Sequence, residues 1–277
     1  MGRVRRRTLR GFALACHPGP TLAVTTVTTA IAAGAGRSAP GCVAVAAAVL
    51  SGQLSVGWLN DGIDAERDRA TGRTDKPVVR GEVSERALLR AAPVALAACA
   101  ALSLLSGWRA AIAHLIAVAC AWGYDVGLKS SVVSVLTYAA AFAVLPAFVT
   151  LGLHGHPWPR WWAPAAGALL GAGAHLANAL PDLEGDRATG VRGLPQRIGF
   201  RWSASGSGVQ LVGASALLGV APTGAALGVV LPAAAGVVVL TGMRLERSGR
   251  GGAAFAGIIV AAALDVVVLI ARGTSLR

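Results

Sequence analysis

Two segments of the sequence repeat one acidic pattern, NDGIDAERDRATG at residues 60–72 and NALPDLEGDRATG at residues 178–190. Eight of the thirteen aligned positions are identical, and in both segments an Asn is followed by an Asp four and eight residues later. This spacing places the three side chains on one face of a continuing helix. Charges of an ordinary solvated loop have no reason to repeat in register, so we interpret both segments as parts of a functional site.

The acidic side chains of the two segments indicate metal chemistry. Carboxylates gathered at a helix end repel one another unless a cation lies between them. Mg²⁺ prefers octahedral oxygen ligands and usually shares its shell with waters and substrate phosphates. The pattern therefore predicts a Mg²⁺ site and a phosphorylated ligand, with the metal held by Asp61, Asp64, Asp68, Asp182 and Asp186.

Basic residues follow each acidic segment within a few positions. A diphosphate bridged to carboxylates by Mg²⁺ still needs direct hydrogen-bond donors, so these side chains are candidate diphosphate ligands. Some of them are expected to be ordinary charges of inner loops. The predicted diphosphate-binding set, which also takes in an Asn of the second segment and a more distant Lys, is Arg73, Lys76, Arg80, Lys129, Arg192, Arg197 and Asn178.

A third polar segment, WGYDVGLKSS at residues 122–131, carries Tyr124 and Lys129 just beyond another apolar stretch. Two interpretations are open. In the structural one, Tyr124 is an interfacial aromatic residue and Lys129 is a charge that sets membrane topology. In the functional one, Lys129 contacts the diphosphate and Tyr124 lies beside the reacting carbon.

A strongly apolar chain must position these residues. Of its 277 residues 55% are apolar and 14% are charged, which is too apolar for an ordinary soluble domain. A helix needs about 20 apolar residues to cross a bilayer. Nine stretches approach that length, and they cover residues 18–34, 41–58, 86–106, 110–126, 131–152, 161–180, 204–221, 224–242 and 253–271. We therefore expect an all-α membrane protein, with nine transmembrane helices in one bundle and a single domain over residues 1–277.

The distribution of basic residues predicts the orientation. With a cytoplasmic N-terminus, 20 of the 25 Lys and Arg residues fall on inner segments, in keeping with the preference of basic residues for cytoplasmic loops. Four crossings separate the two acidic segments, so both are expected at the cytoplasmic mouth of a bundle built from two related halves. Because the basic residues border apolar spans and do not gather on a soluble domain, nucleic acid is not an expected partner.

Taken together, NDGIDAERD, YDVGLK and NALPDLEGD in this order resemble the UbiA superfamily of intramembrane prenyltransferases. The resemblance covers most of the chain, from about His17 to the last apolar stretch. The first segment is similar to the family pattern Asn-Asp-x-x-Asp-x-x-x-Asp, and the second is similar to the family's Asp-x-x-x-Asp. The matching residues are Asn60, Asp61, Asp64 and Asp68, then Asp182 and Asp186, with Asn178 one turn earlier.

The resemblance implies an enzyme of the cell membrane whose active site faces the cytoplasm. Its members use Mg²⁺ to ionise a prenyl diphosphate, and the resulting allylic cation is attacked by an aromatic or other lipophilic acceptor. Water must be excluded from such a cation. The catalytic residues implied by the resemblance are Asn60, Asp64, Asp182, Tyr124 and Lys129.

Two other functions are considered for the same pattern. A terpene cyclase of this fold would capture the cation with the substrate's own double bonds and need no acceptor. A transporter or channel would place charges along a path through the membrane, yet in the sequence Asp265 is the one acid deep within an apolar stretch. Trp58, Trp122 and Phe142 are candidates for a cation pocket. Of the two histidines within spans, His175 is the better pocket candidate and His114 is expected to be a packing residue.

Overall fold

The computed structural model describes residues 2–220 and 225–277, with side chains from residue 6 to 219 and from residue 229 onward. In these ranges the chain is helical, and no strand occurs in the part described. The helices are α1 (Gly2–Ala15), α2 (Pro18–Gly34), α3 (Ala39–Ile63), α4 (Ala65–Ala70), α5 (Glu85–Leu104), α6 (Trp108–Val126), α7 (Ser134–Thr150), α8 (Trp162–Asn178), α9 (Leu183–Ala188), α10 (Leu194–Val220), α11 (Ala225–Arg247) and α12 (Ala253–Ala271).

Each predicted apolar stretch overlaps a long helix in the described part of the chain. Two of them, 18–34 and 253–271, have the same bounds as α2 and α12. The end of the seventh predicted span at residue 221 and the start of the eighth at residue 224 lie outside the described residues. By length and composition, four helical segments in the described part could cross a membrane, namely Ala39–Ile63, Glu85–Leu104, Val229–Arg247 and Ala253–Ala271.

One helix was not predicted as such. The Arg-rich start of the chain forms α1, which lies against the rest of the molecule through its second half. Phe12 packs edge-on against Trp58 with ring centroids 5.3 Å apart, and the Trp58 indole N–H donates to the Phe12 carbonyl over 2.9 Å. This contact fixes the second half of α1 beside the later part of α3.

The long helices form one bundle. Sequence neighbours α2 and α3, α6 and α7, α7 and α8, α10 and α11, and α11 and α12 pack on each other, and α12 returns to pack on α2. Small residues allow close approach where α7 meets α8, since Gly171 lies directly on the backbone carbonyl of Tyr138. The buried interior contains few large side chains, with Phe148, Leu88 and Leu151 among the largest.

Helix starts follow ordinary capping chemistry. The Ser38 hydroxyl accepts a hydrogen bond from the backbone N–H of Gly41 at the start of α3, and Ser84 does the same for Ala87 at the start of α5. Helix α10 contains a break at Gly199, whose φ of 82° is left-handed. The break separates the short segment that follows the second acidic motif from the long apolar part of α10.

Candidate active site

The first acidic motif, residues 60–68, keeps its three four-spaced side chains on one face. Helix α3 ends at Ile63 and α4 begins at Ala65. The backbone N–H of Asp64 nevertheless donates to the Asn60 carbonyl over 2.9 Å, and the N–H of Asp68 donates to the Asp64 carbonyl over 2.8 Å. The helical hydrogen-bond pattern thus runs across the junction, as the spacing predicts.

The second motif, residues 178–186, differs from this expectation. Helix α8 ends at Asn178 and α9 begins only at Leu183, so the prediction of a continuing helix is wrong here. The cause is Pro181, which has no N–H to donate and whose ring disfavours a continuing helix. The pattern resumes beyond it, where the N–H of Asp186 donates to the Asp182 carbonyl over 2.8 Å.

The two motifs lie at the same end of the bundle. Arg73, just beyond the first motif, places Nη1 3.9 Å from Oδ2 of Asp182 in the second. The same guanidinium makes two hydrogen bonds to Asp75, from Nε over 3.0 Å and from Nη2 over 3.1 Å. This hydrogen bonding with Asp75, together with the nearby charge of Asp182, raises the pKa of Arg73 above its usual range. Arg73 therefore remains a cation between the motifs.

Asp64 is the most heavily paired carboxylate of the site. The Lys129 ammonium donates to Oδ1 over 2.6 Å and to Oδ2 over 2.7 Å. Arg67 adds a third contact to Oδ2 at 2.8 Å. Lys129 lies in a short 3-10 turn, Leu128–Ser130. Its backbone carbonyl packs closely against Gly193, in the loop that follows the second motif. The third polar segment is thus part of the same site.

Asn60 makes a contact that the sequence did not indicate. Its Nδ2 donates to Oδ1 of Asp125 over 2.9 Å and lies 3.5 Å from Oδ2 of Asp64. Asp125 is 4% exposed at the end of α6 and follows Tyr124 directly. The sequence shows an Asp at this position but no spacing that relates it to Asn60.

Asp61 is enclosed by a histidine and a lysine. It is 1% exposed, and its Oδ1 accepts a hydrogen bond from Lys76 Nζ over 2.6 Å. His17 Nε2 lies 2.8 Å from the same oxygen. Sequence reasoning missed His17, since a single polar residue ahead of Pro18 carries no motif.

Burial changes the acidity of two further carboxylates. Asp68 is 3% exposed, its Oδ2 has no hydrogen-bond partner among the described residues, and burial raises its pKa. Burial also raises the pKa of Asp186, although Gln196 Nε2 donates to its Oδ2 over 2.8 Å. Gln196 is another site residue that the sequence did not indicate. Asp182 is more open, with 56% of its side chain exposed.

Three of the predicted diphosphate ligands lie outside this group of contacts. Arg80 donates to Glu82 and to the backbone carbonyls of Thr74 and Asp75, which stabilises the loop that carries Lys76. The other two, Arg192 and Arg197, are exposed, and Nε of Arg197 donates to the Arg192 carbonyl over 2.7 Å.

An aromatic cluster borders the acidic residues. The Tyr124 ring packs edge-on against Tyr138 at 5.1 Å and against His175 at 5.6 Å. Phe142 stacks on Tyr138 with ring centroids 6.5 Å apart. The Asn178 side chain lies near the Tyr138 hydroxyl. Nε2 of His175 lies 3.0 Å from the Ser134 hydroxyl oxygen, within hydrogen-bond distance.

The other aromatic and histidine residues that the sequence singled out lie outside this cluster. Trp58 contacts α1, as described above, and the indole N–H of Trp122 donates to Ser55 over 3.2 Å. His114 is a packing residue, as expected: its ring stacks on Phe148 at 4.4 Å and its Nδ1 lies 2.8 Å from the Ser103 hydroxyl.

The donor chemistry of the site fits a divalent cation. Across residues 2–220 and 225–277, no group of three His, Cys, Asp or Glu side chains forms a ready-made metal cluster. Basic side chains instead hold the carboxylates, with Lys129 and Arg67 on Asp64 and Lys76 on Asp61. Asp68 and Asp61 nevertheless each keep a buried Oδ2 without a described partner. Such an oxygen is costly to bury alone and is suited to a hard cation.

Comparison with known proteins identifies the family. The sequence model of the UbiA prenyltransferase family matches residues 21–264, and the chain belongs to this family. A comparison with curated protein sequences finds no match.

Solved structures of UbiA homologues share the fold. The apo structure of a homologue from Aeropyrum pernix K1 superposes with a TM-score of 0.70 at 21% identity, over 90% of this chain and 98% of that one. A homologue from Archaeoglobus fulgidus bound to DMAPP and Mg²⁺ gives 0.71 at 16% identity, over 96% and 100%. A structure reported for digeranylgeranylglyceryl phosphate synthase gives 0.69 at 16% identity, over 97% and 99%.

Proposed function

We propose that the protein is a Mg²⁺-dependent intramembrane prenyltransferase that ionises a prenyl diphosphate and transfers the prenyl group to an aromatic or other lipophilic acceptor. The contact between Arg73 and Asp182 carries the proposal, because it brings both acidic motifs to one end of an apolar bundle. Family membership supports it. So do the two A. fulgidus homologue structures that contain Mg²⁺ with DMAPP or with GPP.

Five oxygen-bearing side chains are the proposed metal ligands. When bound, Mg²⁺ supplies positive charge that offsets the negative charge developing on the leaving diphosphate. The buried and unpartnered oxygen of Asp68 and the exposed carboxylate of Asp182 support this assignment from the two motifs. The residues that would hold the metal are the set predicted from the sequence, Asp61, Asp64, Asp68, Asp182 and Asp186.

Three basic residues are the proposed direct contacts of the diphosphate. The Lys129 and Lys76 ammonium groups and the Arg73 guanidinium each already contact a carboxylate of the site. An ammonium has three donors, so both lysines retain donors for phosphate oxygens while they bind Asp64 and Asp61. These cations stabilise the charge that appears on the diphosphate as the carbon–oxygen bond breaks.

The aromatic cluster is the proposed surface for the cation. Heterolysis leaves the bonding electrons on the diphosphate and an allylic cation on the prenyl chain. The ring faces of Tyr124 and Tyr138 attract positive charge, and they border the carboxylate site from α6 and α7. The acceptor then forms the new bond to the prenyl carbon and loses a proton, while the apolar bundle excludes water.

The proposed location is the cell membrane, with the site facing the cytoplasm and nine helices crossing the bilayer. Exposed apolar side chains around the bundle suit a lipid environment, for example Val94, Leu136 and Val267, each at least 60% exposed. The excess of basic residues on the motif side supports the orientation.

The experiment that tests the function uses purified protein in detergent with Mg²⁺ and geranyl, farnesyl or geranylgeranyl diphosphate. Each donor is supplied alone and with a panel of phenolic acceptors, and products are identified by mass spectrometry. A prenylated acceptor supports transfer. A cyclic hydrocarbon from the donor alone identifies a terpene cyclase instead, and no diphosphate release from any donor contradicts the proposal.

A further inference from the structure

Three chain segments converge on the buried carboxylate of Asp61. His17 comes from the corner between α1 and α2, Asp61 from α3, and Lys76 from the loop after the first motif. Lys76 Nζ and His17 Nε2 lie 2.6 Å and 2.8 Å from the same oxygen, Oδ1, and 3.4 Å from each other. Because Oδ1 of an ionised carboxylate only accepts, both nitrogens donate to it.

The backbone of the corner between α1 and α2 holds His17 where it makes this contact. His17 has a φ of 54° and a ψ of 72°, a left-handed conformation that a residue with a β-carbon rarely adopts and that neighbouring structure must enforce. The Thr21 hydroxyl donates to the Cys16 carbonyl over 2.6 Å and holds the corner. A β-carbon at Gly57 would lie only 2.7 Å from the Cys16 backbone, so glycine is required there, one turn before Asp61.

Asp61 and its neighbour Asn60 point to different parts of the molecule. Adjacent residues of a helix diverge by about 100°. Asn60 reaches Asp125 on α6, whereas Asp61 reaches the corner before α2. Asp61 therefore does not share the face on which the four-spaced residues Asn60, Asp64 and Asp68 lie, although its Oδ2, like that of Asp68, is buried without a described partner.

Lys76 connects the enclosed carboxylate to the rest of the site. Only 15% of its side chain is exposed. Its positive charge also opposes the burial that raises the pKa of Asp68. The ammonium thus contacts Asp61, and its charge acts on Asp68 of the proposed metal site.

We propose that His17 and Asp61 are positioning residues that hold the Lys76 ammonium at the diphosphate site, and that Asp61 acts through Lys76 and does not ligate Mg²⁺. This inference rests on the proposed function and changes the role of one predicted metal ligand. His17 restrains the carboxylate, the carboxylate restrains the ammonium, and the free donors of the ammonium face the diphosphate.

The test measures binding, not turnover. Full-length protein in detergent is titrated with Mn²⁺ by electron paramagnetic resonance, and with inorganic pyrophosphate at saturating Mn²⁺ by calorimetry. The variants are Asp61→Asn, His17→Asn and Lys76→Gln, with Asp64→Asn as the matched carboxylate control. Asn suits position 17 because it tolerates the left-handed conformation but is too short to reproduce the imidazole contact.

The expected result separates metal binding from diphosphate binding. Asp61→Asn and His17→Asn retain the Mn²⁺ stoichiometry of the unmodified protein, while Asp64→Asn loses Mn²⁺. Loss of a charge-assisted contact weakens pyrophosphate binding by about tenfold or more in Asp61→Asn and Lys76→Gln, and somewhat less in His17→Asn. The double variant Asp61→Asn with Lys76→Gln binds no more weakly than Lys76→Gln alone, because both changes remove one interaction.

Two results would overturn the inference while leaving the proposed function intact. One is loss of Mn²⁺ from Asp61→Asn to the same extent as from Asp64→Asn, which would make Asp61 a metal ligand. The other is additive weakening in the double variant. If the unmodified protein binds neither Mn²⁺ nor pyrophosphate, the proposed function and this inference both fail.

Discussion

Nη1 of Arg73 lies 3.9 Å from Oδ2 of Asp182, and this contact joins two acidic motifs that are 118 residues apart in sequence, counted from Asp64 to Asp182. Both side chains are partly exposed, 39% and 56% respectively. Exposed ion pairs of this kind contribute about 0–1 kcal/mol to stability. The contact therefore adds little to the stability of the fold, and both side chains remain accessible to the ligands proposed above.

Replacement of Arg73 by Gln is expected to leave thermal stability nearly unchanged, because the ion pair is exposed. The Michaelis constant for the prenyl diphosphate should rise by about tenfold, the effect of losing one charged hydrogen bond. Arg201→Gln, a change at an exposed residue of α10, is the control. A Michaelis constant for Arg73→Gln equal to that of the control would remove Arg73 from the diphosphate site.

Replacement of Asp64 or Asp182 by Ala should reduce diphosphate release by at least about 100-fold, since even residues that support metal ligands have effects of 10–100-fold. The exposed glutamates Glu66 and Glu184 occupy matching positions in the two motifs and have no described role. Their replacement by Gln should leave release near the unmodified rate. Pyrophosphate release by protein of normal elution volume is the measurement, and full turnover by either Asp variant would contradict the metal-site assignment.

Removal of metal should stop the reaction. Treatment with EDTA is expected to abolish diphosphate release, and excess Mg²⁺ should restore it, because oxygen ligands bind this ion reversibly. Metal removal should leave the elution volume of the protein unchanged, since Lys129, Arg67 and Lys76 already pair with the carboxylates. Undiminished release in EDTA would exclude a metal-dependent mechanism.

Replacement of Lys129 by Gln removes an ammonium that contacts both oxygens of Asp64. We expect a fall in kcat/KM of about 10–100-fold, because a charged hydrogen bond to the diphosphate is worth roughly 1.5–3 kcal/mol. Lys129→Arg should recover part of the loss, since it keeps the charge but not the geometry. Steady-state kinetics with one prenyl diphosphate separates the two variants, and equal kinetics for Lys129→Gln and the unmodified protein would leave Lys129 a topology charge.

Replacement of His114 by Ala should affect stability and not catalysis. The ring is 3% exposed, stacked on Phe148 and bonded to Ser103. Its removal leaves a cavity and takes away one hydrogen bond of the Ser103 hydroxyl, which still donates to the Cys99 carbonyl over 2.6 Å. The expected cost is about 2–4 kcal/mol. A lower melting temperature in detergent with unchanged kinetics at low temperature is the expected result. A specific loss of kcat in folded protein would show that His114 has a role beyond packing.

The sequence allowed much of the fold to be predicted. Apolar runs of bilayer length marked the long helices, and α2 and α12 have the predicted bounds. Helix α1 was missed because its five arginines conceal an amphipathic pattern. In the second motif, the four-residue spacing favoured a continuing helix, but Pro181 breaks it before Asp182. Local backbone chemistry outweighed the periodic signal there.

The sequence by itself determined which residue types the site contains, because a repeat of Asn and Asp in register is visible without a fold. Only the tertiary structure decided which groups those carboxylates contact. His17, Asp125 and Gln196 reach Asp61, Asn60 and Asp186 from segments 10 to 65 residues away. Such contacts arise from helix packing and from a strained corner, and neither leaves a periodic pattern in the sequence.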